Sequence, residues 1–419
     1  MIEWSEEDLM IRDAVRGWID AEVRPNLDAL ESGDLPPYDL LRNMYKTFGM
    51  DEMARSSFHA RLAKEKQGGA DGAEERSGGG AAMTMLPVIE LCKVAPGLVS
   101  AMGVGLGLAA GTIMKRGTPE QKERWALPLL TMEKVGAWAI TEPNSGSDAF
   151  GGMQATARKV GDEYVLNGSK TFITNGPYAD TIVFYCKLDD GDRSPAPAHH
   201  PSSEEPRSAS ADPRDREILT FVLDRGMEGL EQSRPLRKMG LHSSPTGELF
   251  LNDVRAGADR LLASGTQGGK ESAKQNFVTE RAGVAAMALG VIEECLKLSV
   301  EYAKTRELWG QRIGDFQLIQ LKLAKMEVAR LNVQNLVFRH IEMQRAGRAM
   351  TLAEASAMKL YAAQAASEVA QEAVQLFGGN GYMSEYRVEQ LARDAKSFQI
   401  YAGTDEIQVT HIARDLLSR

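Results

Sequence analysis

The sequence predicts an α+β fold with an N-terminal helical domain, a small middle β-domain and a C-terminal four-helix bundle. The chain is 419 residues long, which exceeds what one hydrophobic core usually supports. Short runs of β-branched and aromatic residues follow one another between about residues 135 and 270. After about residue 271, apolar residues recur every three or four positions, as on a helix face. We therefore expect domains at 1–134, 135–270 and 271–419.

Capping signals mark the helices of the N-terminal domain. Ser5 with Asp8 predicts a helix start, and Pro25 predicts the end of that helix. Thr118 precedes a proline at the first helical position, and Gln121 completes a capping box. Between these helices, Lys64 to Gly80 is rich in glycine and charge, so it is predicted to be a flexible loop.

The uncharged stretch Val94–Met114 is long enough to span a bilayer. It also holds five glycines, each of which destabilises a helix by roughly 1 kcal/mol relative to alanine. We therefore expect a buried core helix and no membrane span. Gly103, Gly105 and Gly107 follow no strand and precede no phosphate-binding lysine, so they predict close helix packing and not a phosphate loop.

The middle domain has four recognisable strand segments: Tyr164–Leu166, Thr181–Tyr185, Ile218–Val222 and Glu248–Leu251. Asn167–Gly168 follows the first of them and predicts a hairpin turn. The stretch Asp189–Arg216 is rich in proline, serine and charge, and it is predicted to be a disordered insertion. The pair His199–His200 within it lacks partners at metal-ligand spacing, so no metal site is expected.

The C-terminal bundle is predicted from helical apolar faces. One face contains Ala282, Ala285, Leu289, Ile292, Leu296, Val300 and Ala303, and a second contains Ile319, Leu323, Met326, Ala329, Val333, Val337 and Ile341. A third helix is predicted to open at Thr351, with Glu354 as its capping box, and to close at Gly378–Gly379. Long antiparallel helices with such faces form a bundle.

Bulk properties exclude some classes of function. The net charge of −9 argues against nucleic acid as a partner, because phosphate binding needs clustered lysine and arginine. The three cysteines show neither CxxC nor metal-ligand spacing, which favours a reducing compartment. The acidic segment Met1–Asp8 has no features of a signal or transit peptide. We expect a cytoplasmic protein.

Four segments carry more than packing information. They are Ile140–Asp148; Asn167–Gly176; Glu280–Arg281 with Arg306–Gly310 and Gln317; and Gln375–Tyr382 with Arg393–Lys396 and Ile400–Gln408. In this order, with these domain types between them, they resemble the acyl-CoA dehydrogenase family over nearly the whole chain. The resemblance implies an FAD cofactor, an acyl-CoA substrate, an electron-transfer flavoprotein as electron acceptor, and a homo-oligomer, either dimer or tetramer.

The resemblance also implies which residues bind the flavin. Thr141 and Ser147 match hydroxyls that bond the flavin ring and pyrophosphate, and Thr174 matches the residue that bonds the N5 region. Phe172 stands where the family usually has tryptophan; it retains a stacking face but lacks the indole donor. Thr404 matches a residue that closes the flavin site.

Four further positions match contacts to the FAD of a neighbouring subunit. Arg306 and Gln317 match residues that reach across to that FAD, and a guanidinium suits its pyrophosphate. Gln375 and Gly379 fall in the segment that contacts its adenosine half.

The catalytic base departs from the commonest family pattern. Many members have glutamate in an Ile-Tyr-Glu-Gly-Thr motif, where this chain has Ala402. A minority, including isovaleryl-CoA and long-chain dehydrogenases, instead carry glutamate before the arginine of the first bundle helix, which matches Glu280 before Arg281. Taken alone, Glu280 could be a solvated first-turn residue or the partner of Arg281. The paired Ala402 favours the base.

The implied reaction is α,β-dehydrogenation of the thioester. The Ala402 backbone N–H and a ribityl hydroxyl of FAD would bond the thioester carbonyl and stabilise the developing enolate. Glu280, desolvated by the acyl chain, would take the α-proton. Hydride would pass from C3 to flavin N5, which gives the trans-2-enoyl product.

Two departures leave the substrate open. Val278 stands where many members have an aspartate that contacts the pantetheine, so a carrier-protein thioester could replace CoA. Small residues at Gly103, Gly105 and Gly107 would deepen an acyl pocket and favour longer or bulkier chains.

Two other functions stay open: a flavin oxidase or monooxygenase on the same fold, and a non-catalytic subunit of a heteromeric dehydrogenase. Intact Thr141, Ser147, Thr174 and Arg306 speak against the second.

Overall fold

The computed structural model describes residues 3–66, 80–189, 216–262 and 266–419. The predicted loop between Lys64 and Gly80, the predicted insertion and the pair His199–His200 therefore lie outside the described residues, apart from the ends of the two segments. The chain divides into two compact units: Met1–Gly103 with Arg237–Ser244 and Lys274–Arg419, and Val104–Leu236 with Pro245–Ala273. The α+β class is confirmed, and the domain boundaries at 134 and 270 stay predictions.

The first unit is built from helices. Its N-terminal helices are α1 (Glu6–Trp18), α2 (Leu27–Ser32), α3 (Tyr38–Thr47), α4 (Met50–Lys66), α5 (Gly80–Cys92) and α6 (Pro96–Gly103). Helix α1 begins as predicted, since Ser5 Oγ accepts from the Asp8 N–H at 3.1 Å and Asp8 Oδ2 accepts from the Ser5 N–H at 3.1 Å. This reciprocal pair satisfies two of the backbone donors that a helix start leaves without partners.

The prediction that Pro25 ends a helix is wrong. A π-helical turn at Ile19–Val23 leads into a 3-10 turn at Arg24–Asn26, and α2 continues the helical path. Pro25 lies in the first turn of the 3-10 segment, where a missing N–H and a fixed φ are tolerated. The path ends at Gly33, whose φ of 81° is left-handed.

The C-terminal part of the first unit contains three long helices and two shorter ones: α10 (Thr266–Thr305), α11 (Gln317–Arg345), α12 (Leu352–Phe377), α13 (Val388–Ser397) and α14 (Asp405–Leu417). Thr351 caps α12 through the predicted box with Glu354, and the helix ends at Gly378 as expected. The predicted apolar faces are buried at Ile292 and Val337, among others, so they form the core between these helices.

The second unit contains a seven-stranded sheet. Short helices precede it: α7 (Gly111–Arg116), α8 (Pro119–Gln121) and α9 (Leu127–Leu130). Its strands are β1 (Gly136–Ala139), β2 (Thr156–Val160), β3 (Glu163–Thr174), β4 (Thr181–Asp189), β5 (Ile218–Asp224), β6 (Leu230–Gln232) and β7 (Thr246–Gly257). The order is β1-β4-β2-β3-β7-β6, with β5 paired to β4. Its core contains Ala137, Leu166, Phe184 and Phe221. A separate pair, β8 (Glu307–Leu308) and β9 (Gln311–Arg312), joins α10 to α11 in the first unit.

The hairpin predicted at Asn167–Gly168 is wrong. Strand β3 runs straight through these residues, and the turn that joins it to β2 lies at residues 161–162. Gly168 instead marks a register shift against β7 and has a φ of 142°. A Cβ there would lie 2.7 Å from the Ala155 Cβ, so the glycine permits a close approach of two chain segments.

One helical path among the described residues, Pro96–Arg116, is long and apolar enough to cross a membrane by length and composition. Over its apolar window, 56% is buried, as in a core helix. Close packing is found at one of the three spaced glycines: a Cβ on Gly136 of β1 would lie 3.2 Å from the Gly105 Cα. At Gly103 and Gly107, no described atom lies within 4 Å of the Cβ position.

Candidate active site

Glu280 lies inside α10 and is partly buried. The described residues include no hydrogen-bond or ion-pair partner for its carboxylate. Burial raises the pKa of Glu280 to about 7, against the opposing attraction of Arg281 and Lys359. The reading of Glu280 as a solvated first-turn residue is therefore wrong, because α10 begins at Thr266. A carboxylate with a pKa near neutrality can accept a proton and give it back.

Arg281 does not serve as an ion-pair partner of Glu280. Its side chain is 2% exposed, and its guanidinium bonds to other groups. Nε donates to Gln408 Oε1 at 2.7 Å, and Nη1 donates to the Phe277 carbonyl oxygen at 2.9 Å. With the guanidinium engaged in this way, the neighbouring carboxylate keeps its capacity to bind a proton.

Ala402 lies in a tight turn between α13 and α14. Its φ of 56° is left-handed, which is uncommon for a residue with a side chain, and Gly403 follows with a φ of 84°. Thr404 then caps α14, its hydroxyl accepting from the Ile407 N–H at 3.4 Å. Within the described chain, no residue accepts a hydrogen bond from the Ala402 N–H. This N–H is therefore available as a donor to a ligand.

Gln408 connects the turn to Arg281. Its Nε2 donates to the carbonyl oxygens of Ala402 at 2.9 Å and of Gly403 at 2.7 Å, while its Oε1 accepts from Arg281. Lys359 Nζ, from α12, donates to the Gly403 carbonyl oxygen at 2.8 Å. The sequence interpretation included Gln408 in the segment Ile400–Gln408 without giving it a role, and it missed Lys359. A lysine inside the alanine-rich face of α12 is the signal that could have identified Lys359.

In the second unit, a buried ion pair joins two of the four characteristic segments. Lys170 Nζ lies 2.8 Å from Glu142 Oε1 and 3.0 Å from the Ile140 carbonyl oxygen. Glu142 also accepts from the backbone N–H groups of Gln154 and Ala155 at 2.6 and 3.0 Å. The sequence interpretation missed this pair as well, although a lysine at a position facing the sheet core could have indicated it.

The segments that carry Thr141 and Phe172 lie side by side. The Thr171 N–H donates to the Thr141 carbonyl oxygen at 2.9 Å. Thr141 and Thr174 are half-buried and Ser147 is exposed, so none of the three residues is enclosed in the core. The structure thus brings Thr141 next to the end of β3. Ser147 lies six residues further along the segment Ile140–Asp148.

Phe172 is exposed and strained. Its side chain is 69% exposed and its φ is 57°, at a register shift between Lys170 and Ile173. Burial does not compensate for this strain, since the ring meets solvent. An exposed aromatic ring on a strained backbone fits a stacking partner such as an isoalloxazine.

Arg306, Gln317, Gln375 and Gly379 lie at one end of the helical unit, and all four are exposed. Arg306 follows α10, Gln317 opens α11, and Gln375 and Gly379 lie at the end of α12. Tyr302 and Phe377 stack with ring centroids 4.1 Å apart, which joins the ends of α10 and α12. Basic and amide groups at one end can hold a phosphate-bearing ligand.

Three family models match the chain. They are the acyl-CoA dehydrogenase N-terminal domain over residues 5–133, the middle domain over 137–254 and the C-terminal domain over 267–417. The caffeyl-CoA reductase-Etf complex subunit CarC of Acetobacterium woodii is 33% identical over 421 residues, which cover 99% of this chain and 100% of that protein. A short-chain specific acyl-CoA dehydrogenase of Clostridium acetobutylicum is 32% identical over 405 residues, 96% of each chain.

A solved structure gives the same result. Butyryl-CoA dehydrogenase from Megasphaera elsdenii superimposes with a TM-score of 0.80 at 31% identity, covering 100% of both chains. The chain belongs to the acyl-CoA dehydrogenase family. It is accordingly an FAD-dependent flavoprotein and an oxidoreductase acting on CH–CH groups.

Proposed function

We propose that the protein catalyses α,β-dehydrogenation of an acyl-CoA thioester to the trans-2-enoyl-CoA, with Glu280 as the base. The observation that carries this is the carboxylate of Glu280, which is partly buried and partnerless among the described residues and has a pKa raised to about 7. Ala402 stands where the usual base would be and cannot accept a proton. A base poised near the operating pH suits abstraction of a weakly acidic proton.

In this proposal each residue has one task. The Ala402 N–H bonds the thioester carbonyl oxygen, so negative charge that develops there is stabilised. Glu280 takes the α-proton from C2 and holds it on its carboxyl. FAD would supply the hydride acceptor for C3. Phe172 would pack on its ring, Thr141, Thr174 and Thr404 would contact the flavin, and Ser147 would contact the pyrophosphate.

We further propose that the chain functions as a homo-oligomer, dimer or tetramer. Helix α11 exposes apolar side chains at Leu318, Leu321, Val328 and Leu331, which are 75%, 52%, 58% and 45% exposed. Such a stripe on one helix is typical of an interface between protein chains. Arg306, Gln317, Gln375 and Gly379 would then reach the FAD of a neighbouring copy.

An electron-transfer flavoprotein is proposed as the electron acceptor, and a cytoplasmic location is proposed with it. The name of the Acetobacterium woodii relative supports the acceptor, because it describes a complex with Etf.

That relative is also called a reductase, which favours one second candidate: reduction of a 2-enoyl thioester by the same residues in reverse. Glu280 would then enter protonated and deliver its proton to C2.

One experiment tests the proposal and separates the directions. Purified protein is titrated anaerobically with short, branched and long acyl-CoAs and with the matching 2-enoyl-CoAs, while the flavin absorbance is followed. Bleaching by an acyl-CoA supports dehydrogenation. Reoxidation of chemically reduced protein by enoyl-CoA alone, without bleaching by any acyl-CoA, supports the reductase. Rapid reoxidation by oxygen with release of peroxide would favour an oxidase.

A further inference from the structure

We propose that Lys359 and Gln408 are positioning residues that hold the Ala402–Gly403 turn so that the Ala402 N–H meets the thioester carbonyl. This inference rests on the proposed function and deepens it, because it assigns residues to the donor that opposes the base. Neither side chain needs to touch substrate. Both act through the backbone of the turn.

The turn needs an external support because its own conformation is unfavourable. Ala402 and Gly403 are both left-handed, with φ values of 56° and 84°. A left-handed residue with a Cβ costs about 1–2 kcal/mol and persists only where its surroundings impose it. With no acceptor on the described chain, the Ala402 N–H adds nothing to hold the turn in place.

Gln408, on α14, is the first residue that supports the Ala402–Gly403 turn. It is fully buried, and its single amide nitrogen donates to two successive carbonyl oxygens, those of Ala402 and Gly403. The fit is close: a Cβ on Gly403 would lie 2.8 Å from Gln408 Nε2. With both carbonyl groups fixed, the Ala402–Gly403 and Gly403–Thr404 peptide planes have little freedom to rotate. The Ala402 N–H belongs to the preceding peptide plane and is held through the Ala402 Cα, which both planes share.

Lys359 supplies the second support from another helix. Its side chain is 0% exposed, and Nζ contacts the Gly403 carbonyl oxygen at 2.8 Å and Asp405 Oδ1 at 3.5 Å. Ala355, Ala362 and Ala363, which lie three or four positions from it in α12, are buried as well. Hydrogen bonds from a charged donor are the strong ones, so an ammonium holds this carbonyl more firmly than a neutral group.

The same network reaches the base. Arg281, next to Glu280 in the chain, donates to Gln408, and Gln408 donates to Ala402. Arg281, the chain neighbour of the base, and the Ala402 carbonyl oxygen therefore belong to one buried set of hydrogen bonds within a single compact unit. Displacement of a catalytic group by about 1 Å can lower a rate by about 10²-fold, so a loosened turn should be visible in turnover.

The test compares four variants of the holoenzyme with the wild type. Lys359→Met removes the charge at similar volume, Lys359→Arg restores a donor, and Gln408→Glu removes the amide donor while it retains an acceptor for Arg281. Lys322→Met is the matched control, because it breaks the ion pair with Glu372 between α11 and α12, away from the turn. Flavin content, hydrogen exchange of residues 398–404, kcat and KM are measured with the acyl-CoA that the wild type oxidises fastest.

We expect faster exchange at residues 398–404 and a kcat about 10–100-fold lower in Lys359→Met and Gln408→Glu, because a displaced donor costs rate. KM should stay within about threefold, since the donor acts mainly on the transition state. Lys359→Arg should recover part of kcat, and Lys322→Met should resemble the wild type.

Two results would overturn the inference: an unchanged kcat in both turn variants, or a lower kcat without faster exchange at residues 398–404. If Lys359→Met does not fold, Gln408→Glu and Lys359→Arg carry the comparison. A wild type that no acyl-CoA bleaches rejects the proposed function and this inference with it. An active wild type with unaffected variants rejects only the positioning.

Discussion

Arg281 Nε and Gln408 Oε1 lie 2.7 Å apart, and this hydrogen bond ties the helix of Glu280 to the turn of Ala402. The two residues are 127 positions apart in the chain. Both are nearly inaccessible to solvent, at 2% and 0% exposure, so the bond is shielded from competing water. A helix and a loop from distant parts of the sequence are thereby fixed within one unit.

The first prediction is a pH profile of turnover. Glu280 must be ionised to accept a proton, and burial raises its pKa to about 7. The kcat/KM, which reports ionisation of the free enzyme, should therefore rise as pH increases through about 7 and level off above it. The measurement is kcat/KM for one acyl-CoA from about pH 5.5 to 9. A profile that is flat across this range would contradict Glu280 as the base.

The second prediction concerns stability. The pKa of Glu280 is higher in the folded protein than in the unfolded chain, so folding favours the protonated form. That contribution is fully present below the unfolded pKa of about 4.3 and is lost as pH rises through about 7. Glu280→Gln mimics the protonated state at every pH. Its Tm advantage over wild type should therefore be small at pH 5 and grow toward pH 8.

The control for this measurement is Glu301→Gln. Glu301 lies on the same helix and is exposed, so its replacement removes a carboxylate from α10 without changing the burial of Glu280. The Tm trend expected for Glu280→Gln should be absent in this variant. An equal pH trend in both variants would show that the effect does not arise from burial of Glu280.

Sequence reasoning predicted elements with strong local signals. The capping boxes at Ser5, Thr118 and Thr351 are all present, because reciprocal side-chain bonds to free backbone donors depend on three or four adjacent residues. The prediction of a turn at Asn167–Gly168 was wrong because the pairing of β3 with β7 outweighed the local preference of Asn-Gly for a hairpin turn. Gly168 is needed there for the close approach to Ala155.

The candidate site was only partly predictable for a related reason. The family resemblance predicted that Glu280 replaces the base missing at Ala402. It did not predict the residues that support the Ala402–Gly403 turn. The alanines around Lys359 in α12 are a signal that it is buried, but the sequence does not show that this face of the helix meets the Ala402–Gly403 turn. Glu142 and Lys170 are separated by 28 residues, so their ion pair appears only once β3 lies beside the 140–148 segment.

The third prediction tests the stacking role of Phe172. Phe172→Ala should weaken FAD binding by about 2–12-fold, since an aromatic stacking contact contributes about 0.5–1.5 kcal/mol. Phe172→Trp should bind FAD at least as well as wild type, because it restores the residue usual in the family. Equilibrium dialysis of the apoprotein with FAD gives the dissociation constants. Phe250→Ala is the control, since Phe250 is an exposed phenylalanine on β7 at 42% exposure.

The fourth prediction links oligomeric state to FAD. Val328→Glu places a charge in the exposed apolar stripe of α11 and should shift the protein toward the monomer, as measured by analytical ultracentrifugation. If Arg306 and Gln317 serve the FAD of a neighbouring copy, that monomer should bind FAD less tightly. Glu301→Gln serves again as an exposed-surface control. A monomer with full FAD content and activity would disprove those roles.

The last prediction exchanges the base between two positions. Glu280→Gln is nearly isosteric and should preserve fold and FAD, yet lower kcat by about 10²–10⁴-fold, the range attributed to general base catalysis. Ala402→Glu in that background should restore part of the activity. The left-handed backbone at residue 402 already carries a Cβ, so a longer side chain adds little backbone strain.

Stopped-flow measurement of flavin reduction distinguishes the outcomes, with Glu301→Gln as the exposed-glutamate control on α10. Full activity in Glu280→Gln alone would refute the base assignment. Partial recovery in the double variant would show that residues 280 and 402 both reach the same C2–H, as the hydrogen-bonded link through Arg281 and Gln408 leads us to expect. Loss without recovery is weaker evidence, because a new carboxylate misplaced by about 1 Å already loses most of its effect.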